Sequence, residues 1–79
     1  MRDTGKRFEI DISGHTVFAT YRLEGKTLFI DHVEAPPALR GTGAAGALMK
    51  DILTRANGDG LTITPICGYA ASWLRRNAS

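Results

Sequence analysis

Pro36-Pro37 restricts the folding of this chain more than any other pair of residues. Neither ring nitrogen can donate to a sheet ladder, and each proline pushes its predecessor away from the helical region. Regular structure that runs up to Glu34 must therefore stop there, and whatever follows is a new element.

Ahead of the break the pattern is that of strands. Phe8 to Ile12 alternates apolar and acidic residues, and Ser13-Gly14 supplies a tight turn. His15 to Leu23 is β-branched and aromatic, with Val17, Ala19, Tyr21 and Leu23 on one face. Glu24-Gly25 reads as a short hairpin loop, and Lys26 to Glu34 as a third strand. Strict alternation puts Leu28, Ile30 and His32 on one face of that strand and Phe29, Asp31 and Val33 on the other.

Behind the break the period lengthens. Ala45, Leu48, Met49, Ile52, Leu53 and Ala56 recur at helical spacing, which predicts a helix from Gly43 to Ala56 that Asn57-Gly58 stops. Leu61 to Thr64 alternates as a fourth strand, reached through a helix and so able to lie parallel to the third. Tyr69 to Arg76 forms a second helix, with Tyr69 and Trp73 one turn apart. The order β-β-β-α-β-α is an α+β fold: a mostly antiparallel sheet with its helices on at least one face. With no repeats or linkers, residues 1–79 are expected to make one domain, and residues 1–6 a flexible lead-in.

Composition excludes more than it assigns. A net charge of +2, with ten basic residues interleaved among eight acidic ones, gives no stripe for tracking phosphates, so no nucleic-acid partner is expected. No run approaches the roughly 18 apolar residues of a membrane span. Met1 to Arg7 has no apolar segment behind it and is not expected to be a secretory leader. The lone Cys67 rules out an internal disulfide and fits a reducing compartment, hence a cytoplasmic location. Two histidines and one cysteine, far apart, are not expected to hold a metal. So small a core makes a bound ligand or a partner subunit relevant to stability, and open sheet edges suit a monomer or a weak homodimer.

The stretch from Leu39 to Lys50, LRGTGAAGALMK, lies where the second half begins. A helix N-terminus presents unpaired N–H groups and the positive end of the macrodipole, and glycines let a phosphate approach the backbone. With Arg40 adding charge, the residues read as a pyrophosphate-binding turn over Gly41 to Ala45. The alternative is a plain loop, with Gly46 easing the packing of the helix on the sheet. Gly41, Gly43 and Gly46 satisfy the spacing GxGxxG, yet the strands before them read as antiparallel and the chain is short for a dinucleotide fold.

Arg40-Gly41-Thr42-Gly43-Ala44-Ala45 resembles, position by position, the acyl-CoA signature Gln/Arg-x-x-Gly-x-Gly/Ala of the GNAT superfamily of N-acetyltransferases. More specifically, Phe29 to Asn77 is similar to small GNAT-like proteins of the YjdJ type. The matching residues are His32, then Pro36-Pro37-Ala38-Leu39-Arg40-Gly41-Thr42-Gly43, then Pro65-Ile66-Cys67-Gly68-Tyr69. This resemblance implies a minimal GNAT-like fold and acyl transfer from acetyl-CoA to an amine-bearing acceptor. It implies that the pyrophosphate lies on the turn of Arg40, Gly41, Thr42, Gly43, Ala44 and Ala45, with Leu39 also binding the cofactor. It further implies that the pantetheine runs along the backbone near His32 to Ala35, with Val33, Glu34 and Ala35 binding the cofactor, where the third and fourth strands diverge, and Pro65 fits that divergence.

The resemblance also implies that Cys67 lies near the acetyl end of the cofactor. Cys67 is then a nucleophile or acyl relay with His32 as its base, or else a small buried hydrophobe. His32 is equally readable as a hydrogen-bonded core histidine. Tyr69 is either a general acid towards the departing thiolate or one half of an aromatic stripe with Trp73. Two rival functions stand beside transfer: an acyl-CoA-binding module without efficient turnover, and a small protein-interaction domain whose glycine turn is only a loop.

Overall fold

The structure, a computed structural model, describes residues 1–77; Ala78 and Ser79, the last residues of the expected domain, lie outside the described residues. Five strands form one sheet in chain order: β1 (Arg2–Asp3), β2 (Arg7–Ile12), β3 (His15–Glu24), β4 (Thr27–Glu34) and β5 (Thr62–Pro65). The first four are antiparallel, and β5 runs parallel to β4. A 3₁₀ turn at Pro37–Leu39 and helix α1 (Ala44–Asp59) make the crossover, and α2 (Gly68–Asn77) follows β5. The fold is the expected mixed α+β sheet, with one strand more than the sequence pattern contains.

That extra strand occupies part of the stretch expected to be a flexible lead-in. Arg2 pairs with Glu9 and Asp3 with Phe8, and two residues are too few to carry an alternation signal. The Asp3 carboxylate accepts a hydrogen bond from the Tyr21 hydroxyl and lies 3.6 Å from the Arg55 guanidinium on α1. These contacts tie the first strand to the far end of the helix.

Both hairpins are short. Ser13 and Gly14, at φ 51° and 78°, provide the two left-handed residues that a tight turn between Ile12 and His15 requires. Between β3 and β4 the loop is Gly25-Lys26 rather than Glu24-Gly25, because Glu24 pairs with Thr27. Helix α1 does not stop at Asn57-Gly58. It continues to Asp59, where Gly60 adopts φ 69° and the Leu61 amide donates to the Ala56 carbonyl at 2.8 Å. The left-handed cap therefore falls at the second of two available glycines, and an Arg55–Asp59 pair at 3.1 Å spans the added turn.

The core lies on one face of the sheet. Val17, Ala19, Leu28 and Ile30 meet Leu48, Met49, Ile52 and Ala56 of α1 and Ala70 of α2, and Phe8 stacks on Tyr21 with ring centroids 4.1 Å apart. The other face carries charge and aromatic rings without helices. The Arg7 guanidinium lies 4.3 Å above the Phe18 ring and that of Arg22 4.7 Å above Phe29. Arg7 and Arg2 hold Glu9, Arg2 also pairs with Asp11, and Arg22 pairs with Asp31.

These pairs lower the carboxylates. Hydrogen bonds from Arg2 and then Thr16 hold Asp11 at about 2, against an ordinary 3.8. Arg7 lowers Glu9 and Arg22 lowers Asp31. A carboxylate depressed in the folded state contributes stability that is present above its unfolded pKa and lost as pH falls through the folded one. The melting temperature is therefore expected to fall between about pH 4.5 and pH 2, and to fall less steeply at high salt. Circular dichroism melts across that range check it; a melting temperature flat to pH 2 refutes it.

Candidate functional site

Strand β4 is irregular at one place, and that place makes the site. Thr20 pairs with His32 but its neighbour Tyr21 pairs with Ile30, so Asp31 faces no residue of β3. This one-residue bulge reverses the alternation beyond it. Leu28 and Ile30 point into the core, and the next inward residue is Val33 rather than His32. The expected shared face of Leu28, Ile30 and His32 is thus corrected: the His32 side chain is 56% exposed and is not a core histidine. It stands on the open face of the sheet, with Nε2 3.4 Å from Glu34 Oε1 and its ring tilted against Phe18.

Next to the bulge the sheet divides. Strand β5 pairs with β4 from Thr27 to Ile30, and the last pair is Ile30 with Pro65. The amides of Ile66 and Cys67 then both donate to the Ile30 carbonyl, at 2.9 and 3.1 Å, turning the chain away. Among the described residues no strand flanks β4 on that side from Asp31 to Glu34, which leaves backbone groups of an edge without a ladder.

The helix α1 begins beside this free edge. Arg40 closes the 3₁₀ turn with its amide to the Pro37 carbonyl, and its Nε lies 3.4 Å from the Ala35 carbonyl. Gly41 and Gly43 sit at φ 80° and 83°, in the left-handed region, and nothing lies within 4 Å of where a Cβ would stand on either. Gly43 is the N-cap and has no side chain with which to cap, and the first turn carries no acidic residue. Among the described residues, the amides of Ala44, Ala45 and Gly46 meet no acceptor. A row of donors at the positive end of a helix, beside glycines that leave it open, is suited to an anion.

Edge and helix start together enclose a cleft of about 520 Å³. It is lined by His32, Val33, Glu34 and Ala35 from β4 and the residue after it, by Leu39, Arg40, Gly41, Gly43, Ala44 and Ala45, and by Tyr69 at the start of α2. Of the residues the sequence pointed to, the structure gathers all but two. Thr42 turns its hydroxyl to the Leu39 carbonyl and closes the loop instead of facing the cleft. Cys67 is half-buried against the core and does not line it.

Two contacts at the site are not legible from spacing of the motif. The His32–Glu34 pairing has a faint signal, since residues two apart on a strand share a face. The packing around Gly46 has none. A Cβ there would lie 3.2 Å from Trp73 Nε1 and 3.6 Å from the Tyr69 hydroxyl, so Gly46 receives α2 rather than easing α1 onto the sheet.

No curated protein matches the chain. No helix among the described residues is long and apolar enough to cross a membrane. The family model of the GCN5-related N-acetyl-transferases, by contrast, matches residues 7–79, which takes in the bulged strand, the glycine turn and both helices. With a free strand edge meeting an uncapped helix start inside that match, the chain belongs to the GCN5-related N-acetyltransferase family.

Proposed function

We propose that the chain binds acetyl-CoA in the cleft between β4 and α1 and transfers its acyl group to an amine. The observation that carries this reading is the junction of a ladder-free β4 edge with the uncapped start of α1 in one cavity of about 520 Å³. The residues present fit the cofactor's chemistry. Arg40 and the amides of Ala44 and Ala45 suit its diphosphate, and the open space beside Gly41 and Gly43 admits one. The backbone of Val33, Glu34 and Ala35 offers an extended edge to the amides of the pantetheine.

When bound, acetyl-CoA supplies an acyl group activated as a thioester. His32, exposed on the open sheet face and facing Glu34, takes the proton that the acceptor's ammonium must shed before its nitrogen can attack the thioester carbonyl. Tyr69 lines the same cleft from α2 and stands as the candidate proton donor to the departing thiolate.

A second reading, acyl-CoA binding without efficient turnover, is favoured by one observation: Cys67 does not line the cleft, which removes support for a covalent relay. Titration calorimetry with CoA and acetyl-CoA tests the shared part of both readings. Binding of each in the micromolar range is expected, and absence of any binding heat would overturn both. Thiol release from acetyl-CoA across a panel of primary amines then separates them: turnover favours transfer, binding alone favours the module.

A further inference from the structure

Helix α2 brings Tyr69 to the cleft, and one of the contacts that seat α2 lies outside the cleft. Trp73 is one turn further along the same face, and it rests on the backbone of α1 at Gly46. Neither Gly46 nor Trp73 lines the cavity. The added-Cβ distances of 3.2 Å to Trp73 Nε1 and 3.7 Å to Trp73 Cδ1 make this a contact that only glycine permits without displacement. The other glycine inside α1, Gly58, faces open space. Gly46 is therefore the one glycine of the helix whose missing side chain is used by a neighbour.

From this we infer that Gly46 and Trp73 are positioning residues: their contact sets the width of the cleft by fixing Tyr69 as its wall. The inference rests on the proposed acyl-CoA reading of that cleft. A methyl at residue 46 crowds the indole, which must give by a few tenths of an ångström, and lies 3.6 Å from the Tyr69 hydroxyl, so the strain of making room for it reaches Tyr69 directly. The ligand then meets a wall that has shifted, although no residue touching it has changed.

The test uses CoA as the probe and measures affinity and thermal stability side by side. Gly46→Ala is expected to weaken CoA binding about three- to tenfold, because small misplacements of a binding wall are costly. Its melting temperature should stay within a few degrees of the wild type, since the better helix propensity of alanine offsets the crowding of the indole. Gly58→Ala is the control: it gains the same helix propensity, touches nothing, and should leave CoA affinity unchanged.

The single Trp73 gives a second readout, since its emission in the ligand-free protein should shift in Gly46→Ala and not in Gly58→Ala. Wild-type binding of CoA with equal affinity in Gly46→Ala overturns the inference and leaves the acyl-CoA reading standing. No CoA binding by the wild type overturns that reading and this inference with it. Affinity lost equally in Gly46→Ala and Gly58→Ala also overturns it, because the effect then belongs to helix stiffness rather than to the Trp73 contact.

Discussion

Gly43→Glu is expected to weaken CoA binding by about a hundredfold or more while changing the melting temperature by only a few degrees. The two effects separate because of where Gly43 sits. Its φ of 83° makes any other residue pay for a left-handed backbone, at about 1 kcal/mol. Against this, a carboxylate at the N-cap accepts from amides that now have no partner and complements the positive end of the helix, worth about 0.5–1 kcal/mol. The fold thus stays nearly neutral.

Binding does not. The new side chain enters open space, since nothing lies within 4 Å of the added Cβ, and Gly43 itself lines the cleft. In the proposed reading the carboxylate stands against the donors that would hold the diphosphate and repels it, and like charges about 4–5 Å apart cost about 3 kcal/mol in partly wet surroundings. Gly43→Ala isolates the backbone strain and should lose less than tenfold. Calorimetry on both variants decides the matter: a Gly43→Glu protein that binds CoA like the wild type moves the anion site elsewhere.

The second large effect is on stability. Leu48→Ala removes a fully buried side chain from the surface where α1 meets the sheet. Truncating such a leucine costs about 3 kcal/mol in lost transfer energy and cavity. A domain of 79 residues has roughly 5 kcal/mol in all, so the variant is expected to melt roughly 15 °C lower or to be partly unfolded at 37 °C. Leu48→Met, which keeps the volume, should cost less than half as much. Denaturant titration of the three proteins measures it, and equal midpoints would mean that α1 is not packed as described.

Much of the site was legible because its signals are chemical and local. Proline 36 and 37 end a strand wherever they occur in one, and a run of glycines with an arginine ahead of a helical period marks an open helix start. The glycines and Arg40 mark Gly41 to Ala45 as a turn open to an anion, the family resemblance adds Leu39, and all of these but Thr42 line the cleft. Thr42 shares the motif but not the cleft, because its hydroxyl is used to close the turn.

What remained illegible depends on partners distant in the chain. His32 leaves the core because β3 and β4 slip by one residue at Asp31, and nothing in either strand alone announces the slip. Arg2–Asp3 becomes a strand only because β2 offers it an edge. Helix α1 ends at Gly60 because the Leu61 amide reaches back to Ala56, a choice between two glycines that composition leaves equal. Cys67 falls outside the cleft because its amide is spent on the Ile30 carbonyl at the point where β5 departs.

By itself, then, the sequence determined four of the five strands, both helices, their order and the open start of α1, since alternation, helical period and turn chemistry act within a few residues. Only the tertiary structure decided the bulge that exposes His32, the first edge strand and the seat of Trp73 on Gly46. Each of those is a relation between two segments, and its energy exists only once both are in place.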